Sequence, residues 1–302
     1  MNILITGGAG YIGNITAAYL LKQGYDVVIV DKVPPMVKTT TYLGDFSDSD
    51  LLNKIFRTHY IDSVCHFAAM ASVDLFEPSY IFTNNMTKGI TLLDIMRQHG
   101  CNQLIFSSTG AVYGESQYLP IDEKHPQHPI NPYGESKLMF EKILKWYHRA
   151  YGLKFIAFRF FNAAGAWQSL GDHHGRHLIN RIIEKSDLCI YGDDYPTNDG
   201  TCIRDYVHVL DLARAVHLGI KQLDTFPNGI YNLGSGRGFS VLEVIHAVQS
   251  GTDGIVDYRI EPRRLGDPAI LIANSEKAHQ ELGWEPQFSD LMQIVKDIII
   301  NK

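Results

Sequence analysis

Tyr133 and Lys137 stand four residues apart in Tyr133-Gly134-Glu135-Ser136-Lys137. On a helix that spacing puts both on one face, one turn apart. A phenol with a pKa of ~10 is a poor base at neutral pH. An ammonium beside it favours the phenolate and lowers that pKa, so Tyr133 can act as a proton shuttle. A Tyr/Lys pair at this spacing also occurs on ordinary exposed helices. It gains meaning here because Ser107-Ser108-Thr109 closes the apolar run before it. A hydroxyl at that strand end can hold the same substrate oxygen, although Ser and Thr there otherwise serve as turn or capping residues.

The chain also carries a phosphate-binding pattern. Gly7-Gly8-Ala9-Gly10-Tyr11-Ile12-Gly13 fits G-x-x-G-x-x-G and G-x-G-x-x-G at once. Residues without side chains permit a tight strand-to-helix turn and let a pyrophosphate reach the backbone N–H groups of the following helix. Alone the pattern is weak, since glycine turns occur in many α/β proteins. Its context strengthens it: the apolar run Asn2 to Thr6 precedes it and helical spacing follows. Asp31 closes the next β-branched run, where a carboxylate can accept hydrogen bonds from the adenosine ribose hydroxyls. The same charge repels a 2′-phosphate, which favours NAD over NADP, and Lys32 beside it weakens that preference.

The elements that must position these groups alternate. Strands are expected at Asn2–Thr6, Asp26–Val30, Ser63–Phe67, Gln103–Ser107 and Lys154–Arg159, and helices at Ile12–Gln23, Leu51–Thr58, Tyr80–His99 and Tyr133–Tyr151. That order predicts an α/β fold, a Rossmann-type doubly wound parallel sheet. After Asn162 the pattern loosens. Trp167 to Arg176 reads as a polar loop, Gly229 to Leu233 as a strand and Val241 to Ser250 as a helix. A smaller C-terminal α/β region, interleaved with the first, is expected.

Composition sets outer bounds. The 302 residues are 45% hydrophobic and 20% charged, as in globular enzymes, and the net charge of −6 speaks against a nucleic-acid footprint. Cys65, Cys101, Cys189 and Cys202 form no C-x-x-C pair, so free buried thiols are expected. The N-terminus has no basic, then apolar, leader, and no apolar run approaches the roughly 20 residues of a membrane span. A soluble cytoplasmic protein is expected. His173, His174 and His177 share a loop but lack the i, i+4 register of a helical metal site, so no metal is expected.

With the glycine motif, the strand-end Thr109 and the Tyr133/Lys137 pair together, the chain resembles the extended short-chain dehydrogenase/reductase family, and within it the UDP-glucose 4-epimerases. The likeness runs end to end. It includes His66-Phe67-Ala68-Ala69, Asn84-Asn85, Phe106 to Gly114, Arg159-Phe160-Phe161-Asn162 and Tyr191 to Thr197. Asp199 to Val209, Tyr231-Asn232-Leu233-Gly234 and Arg263-Arg264-Leu265-Gly266-Asp267 complete it.

The resemblance implies a reaction on a UDP-sugar. Bound NAD would take a hydride from C4 of the sugar and return it to the other face of a 4-keto intermediate. Tyr133 would take the 4-hydroxyl proton, Thr109 would hold that oxygen, and Lys137 would hold the nicotinamide ribose. Cofactor contacts would come from Gly7, Gly10, Tyr11, Ile12, Gly13, Asp31, Lys32, Asp45, Phe67, Ala68, Ala69, Asn84, Ser107 and Phe161, besides Tyr133 and Lys137. For Asp45, Gly44-Asp45 reads equally well as a plain loop. Substrate contacts would come from Thr109, Tyr133, Asn162, His177, Leu178, Cys189, Tyr191, Arg204, Arg264, Asp267 and Leu271. An Arg fork suits a diphosphate, Asp267 the uridine ribose and Tyr191 the uracil face. Residues 1–165, with about 201–235 returning to them, would bind NAD, and 166–302 mainly the nucleotide sugar. A homodimer through the helices Tyr80–His99 and Tyr133–Tyr151 is implied too, although helical stripes fit packing on the sheet equally.

Some positions depart from the family. The adenosine-side loop before Gly44-Asp45 is shortened, and so is Met70 to Pro78; Ala71 stands where some relatives carry lysine, and Asn180 replaces a usual proline. Leu271 occupies the position that gates space around the sugar 2-position, and leucine leaves acceptance of UDP-N-acetylglucosamine open. A 4,6-dehydratase would want Asp-Glu where this chain has Gly110-Ala111, and a glucuronate enzyme would want a cation for the sugar carboxylate. A non-enzymatic NAD sensor would commonly have lost the Tyr/Lys pair.

Overall fold

The computed structural model describes residues 1–71, 77–172, 177–184, 188–252 and 254–301. In chain order the strands are β1 (Asn2–Thr6), β2 (Asp26–Asp31), β3 (Thr40–Leu43), β4 (Ser63–His66), β5 (Gln103–Thr109), β6 (Lys154–Phe160), β7 (Asn162–Ala164), β8 (Leu188–Tyr191), β9 (Ile203–His208), β10 (Asn228–Leu233), β11 (Gly238–Ser240), β12 (Tyr258–Glu261) and β13 (Ile270–Leu271). The helices are α1 (Tyr11–Lys22), α2 (Ser49–Thr58), α3 (Pro78–Phe82), α4 (Lys88–Gln98), α5 (Pro132–Tyr151), α6 (Leu178–Ile183), α7 (Val209–Gln222), α8 (Val241–Thr252), α9 (Glu276–Leu282) and α10 (Leu291–Ile300).

Seven strands form one parallel sheet in the order β3-β2-β1-β4-β5-β6-β10. Strands buried on both faces must be apolar throughout. In β1, Ile3 and Ile5 pack with α1 and α7 residues such as Ala17 and Val216, while Leu4 packs on the other face with Leu52, Leu92 and Phe140 from α2, α4 and α5. The strand order reverses beside β1, between β2 and β4. In open α/β sheets ligands bind outside the carboxyl ends of the strands at such a point.

The long helix expected from Tyr80 to His99 is divided. A π-helical turn, Thr83–Thr87, separates α3 from α4. The wider turn brings the sequence neighbours Asn84 and Asn85 both into the interior. Strand β3 has no apolar signature in the sequence, because it is a half-exposed edge strand paired only with β2.

The later chain is interleaved with this frame. Within 201–235, α7 packs on α1 and β10 extends the main sheet, whereas β9 joins β7, β11 and β13 in a second sheet. Strands β8 and β12 pair separately. A core of Ile179, Ile182, Ile190, Val244, Ile245, Val248, Ile294 and Ile298 binds α6, β8, α8 and α10.

Candidate functional site

The glycine turn between β1 and α1 is shaped by close backbone approach. Gly7 has φ +73°, and a Cβ there would lie 2.5 Å from the Ala68 nitrogen; at Gly13 it would lie 2.1 Å from the Gly7 oxygen. Gly10 is different: its virtual Cβ meets only the Gly7 oxygen, at 3.3 Å, so its side opens onto the cavity described below. No side chain caps the N-terminus of α1, which leaves its first N–H groups available to an anion. Asp31 closes the turn from the side, accepting hydrogen bonds from the Ala9 nitrogen (2.9 Å) and the Lys32 nitrogen (2.7 Å). This cradle fits the pyrophosphate of a dinucleotide.

Lys32 extends to Asp45, 3.1 Å away, and Lys88 reaches the same carboxylate oxygen at 2.5 Å. Burial pushes the Asp45 carboxyl upward, but hydrogen bonds from Lys88, Ser47 and Lys32 outweigh it and hold the group well below the usual carboxylate range. Asp45 is thus an anchor for two lysines.

Thr109, Tyr133 and Lys137 come together where β5 meets α5. Asn131 caps α5 by accepting from the Gly134 nitrogen at 2.8 Å, and Pro132 opens the helix. A Cβ at Gly134 would be 2.5 Å from the Ala111 oxygen, so glycine lets this first turn sit against the chain just beyond β5. Thr109, the last residue of β5, hydrogen-bonds Tyr133. Lys137 donates to the Ser107 carbonyl oxygen at 2.7 Å, with the Ser107 hydroxyl at 3.5 Å.

The electrostatics differ from the expected lysine-activated phenol. Burial pushes the Tyr133 phenol up to about 12, and the Thr109 hydrogen bond offsets this only in part. Burial also pushes the Lys137 ammonium down to about 7, against the pull of Glu141. The ammonium is drawn to the Ser107 carbonyl and lies 5.9 Å from the Tyr133 ring centre, so desolvation prevails over their mutual field.

Across the cleft, Arg204 pairs with Asp267 at 3.1 Å. The Asn131 amide donates to the Gly266 carbonyl at 3.3 Å and ties the loop bearing Asp267 to the cap of α5. Leu271 packs with Phe161 and Val112. On the other side the Tyr11 hydroxyl donates to the Gly165 oxygen, its ring lies 5.4 Å from that of His177, and His177 contacts Asp172 at 2.7 Å.

One cavity of about 460 Å³ joins these parts. Of the residues expected at the site, Gly7, Gly10, Tyr11, Ile12, Gly13, Phe67, Ala69, Ser107, Thr109, Tyr133, Lys137, Phe161, Asn162, His177, Arg204, Asp267 and Leu271 line it. Leu178 lines a small adjoining pocket of about 50 Å³ with Tyr11 and His177. Asp31, Lys32, Asp45, Ala68 and Asn84 are not among the lining residues. Neither are Cys189, Tyr191 and Arg264. The Arg264 guanidinium instead covers the Tyr191 ring at 4.2 Å, and Cys189 lies on β8 against β12.

Asn131 and Asn85 hold positions to which the sequence assigns no role. Asn131 lines the cavity and could have been found as a capping residue before a helix-opening proline. Asn85, next to Asn84, exchanges hydrogen bonds with both backbone groups of Met70 and donates to Ser136 inside the Tyr/Lys motif. No local pattern discloses that role. His173 and His174 lie outside the described residues, and among the described residues no group of three His, Cys, Asp or Glu could hold a metal. All four cysteines are free; Cys65, Cys101 and Cys202 are buried as expected, whereas Cys189 is half-buried on its small sheet. Among the described residues no helix is long and apolar enough to cross a membrane.

Comparison with known proteins agrees with this geometry. Residues 3–234 match the pattern of the NAD dependent epimerase/dehydratase family. The chain is 45% identical to the UDP-glucose 4-epimerase of Halalkalibacterium halodurans, over 98% of this chain and 94% of that protein. It superposes with a TM-score of 0.92 on the UDP-glucose 4-epimerase of Bifidobacterium longum solved in complex with NAD+ and UDP, at 35% identity, covering 98% of this chain and 96% of that one. The UDP-Glc/GlcNAc 4-epimerase of Campylobacter jejuni is also similar, with a TM-score of 0.83 and 35% identity over 99% of this chain and 98% of that one. The chain belongs to the NAD dependent epimerase/dehydratase family and, within it, to the UDP-glucose 4-epimerases.

Proposed function

We propose that this protein interconverts UDP-glucose and UDP-galactose by inverting C4 of the sugar through a transient 4-keto form. The observation that carries the reading is the placement of Tyr133 and Thr109 in one cavity between a dinucleotide-shaped glycine turn and the Arg204–Asp267 pair. NAD, when bound, supplies the reversible two-electron oxidation of the C4 carbinol. Tyr133 accepts the 4-hydroxyl proton and gives it back after the ring has turned, while Thr109 holds the same oxygen. Lys137, fixed on Ser107, holds the nicotinamide ribose. Arg204 and Arg264 clamp the diphosphate, Asp267 accepts the uridine ribose hydroxyls and Tyr191 offers its ring to the uracil. For that, Arg264 has to leave the Tyr191 ring.

Incubation of the protein with UDP-galactose, with and without added NAD, tests the reading by chromatographic detection of UDP-glucose. Absence of conversion with NAD present, in folded protein, would overturn it. A second reading, action on UDP-N-acetylglucosamine, is favoured by Leu271, which lines the cavity and is not a bulky aromatic. The same assay with that sugar decides it.

The finer assignments belong to the same proposal. Residues 1–165, with α7 and β10, form the NAD-binding part and most of 166–302 the sugar-nucleotide part. The protein works in galactose metabolism in the cytoplasm, where its two small-molecule ligands are available. It forms a homodimer through the helical stretch from Tyr80 to His99 and through α5; the large exposed Trp146 and Tyr151 on α5 support this. Light scattering that gives a monomer mass would remove the dimer.

A further inference from the structure

We propose that Glu141 is a positioning residue for proton transfer at Tyr133: it fastens one turn of α5 to the end of β5 and places a carboxylate one helical turn from Lys137. The inference rests on the epimerase reading and deepens it.

Lys137 and Glu141 stand four residues apart on α5 and are both almost wholly buried. They grip consecutive residues of one strand. Lys137 donates to the Ser107 carbonyl oxygen at 2.7 Å, and the Ser108 hydroxyl donates to Glu141 Oε1 at 2.5 Å. Thr109, the partner of Tyr133, comes next in the chain. The register of this turn against β5 therefore sets the meeting of Thr109 and Tyr133.

The carboxylate is itself held in place. Ser108 and Arg159 are opposite partners in the β5–β6 ladder, so their side chains share a sheet face and converge on Glu141. Arg159 donates through Nε at 3.0 Å and Nη2 at 2.6 Å. Its Nη1 donates to the Tyr113 hydroxyl at 2.8 Å, which in turn donates to Asn232 on β10 at 2.6 Å. Such a buried ion pair is weak evidence for stability, because well-packed apolar residues can replace it without loss. Its use here is electrostatic. Among the described residues, the charged and titratable groups facing Lys137 are Tyr133 and Glu141 on α5 and His66 on β4, while Arg159 on β6 pairs with Glu141. The buried His66 imidazole is held neutral, its pKa lowered to about 3 by burial and by the Lys137 charge. Glu141 is the anion acting on Lys137, and it opposes the burial that lowers the ammonium's pKa.

The test compares wild type with Glu141→Gln, Glu141→Asp and Ser108→Ala, each checked by its melting curve. One readout needs no turnover: the titration midpoint of the Lys137 ammonium by NMR on lysine-labelled protein, assigned by its loss in Lys137→Arg. The other is the pH dependence of kcat and KM for UDP-galactose. Glu141→Gln is expected to lower the midpoint by about one pH unit, as removal of a nearby opposite charge does. The alkaline limb of kcat should move down with it at unchanged KM, and Glu141→Asp should restore most of both. Ser108→Ala, which keeps both charges, should lower kcat several-fold without changing KM. An unchanged Lys137 midpoint in folded Glu141→Gln, or an unchanged kcat in Ser108→Ala, overturns the proposal. If Glu141→Gln does not fold, Ser108→Ala decides it. Lack of turnover in wild type would instead fault the epimerase reading, while the NMR midpoint would still judge Glu141.

Discussion

The Lys137 ammonium lies 5.9 Å from the centre of the Tyr133 ring and points past it to the Ser107 carbonyl oxygen, 2.7 Å away. The phenol thus has Thr109 as its hydrogen-bond partner and the anchored Lys137 amine nearby, and under the proposed function it carries the proton. Tyr133→Phe keeps the ring and removes only the hydroxyl. It should lower kcat by roughly 10²–10⁴-fold with little change in melting temperature. Conversion of UDP-galactose followed by chromatography measures it.

Burial of Lys137 has a stability consequence with a definite sign. Its folded pKa, about 7, lies below the ordinary lysine range. Between that value and ~10.4 the unfolded chain binds a proton that the folded chain does not, so this group makes stability rise with pH through that window. Below it the fold carries the full cost of a buried ammonium. Relative to wild type, Lys137→Met should therefore melt higher at pH 6 than at pH 10, by about 5 °C. The gain should shrink as the pH is raised towards 10, and turnover should be lost. Thermal melts of both proteins across that range test it; a gain that does not depend on pH would contradict the burial argument.

Arg204 and Asp267, paired at 3.1 Å and facing the cavity, should govern affinity for the nucleotide diphosphate more than the chemical step. Arg204→Ala removes a charged donor, an effect worth about 1.5–3 kcal/mol, or roughly ten- to a hundred-fold in UDP affinity. Calorimetric titration with UDP reads this directly. An unchanged Kd would place the diphosphate elsewhere.

Gly13 has no room for a side chain, since its Cβ would stand 2.1 Å from the Gly7 oxygen and 2.9 Å from Gly8 Cα. Gly13→Ala must therefore push α1 away from the turn. We expect a loss of about 1–3 kcal/mol in stability, from overpacking against backbone, together with weakened NAD binding. Denaturant unfolding and cofactor retention on gel filtration provide the two measurements.

Local features of this protein could be read from the chain alone. The glycine turn, Asp31 at the end of β2, the Tyr133/Lys137 spacing and the alternation of apolar runs with amphipathic ones depend on neighbours within a few residues, where backbone geometry and periodicity act. Other features depend on distant partners and on the exclusion of water. Arg204 meets Asp267 across 63 residues. β10 arrives after the second sheet has begun and still closes the edge of the first beside β6. β3 is a strand because β2 offers it a free edge, not because its residues are apolar. Arg264 rests on Tyr191 outside the cavity. The charge balance of the Tyr133/Lys137 pair also runs opposite to what spacing suggests, because spacing records proximity while pKa depends on desolvation, and burial is settled only when β5, β6 and α5 have packed together.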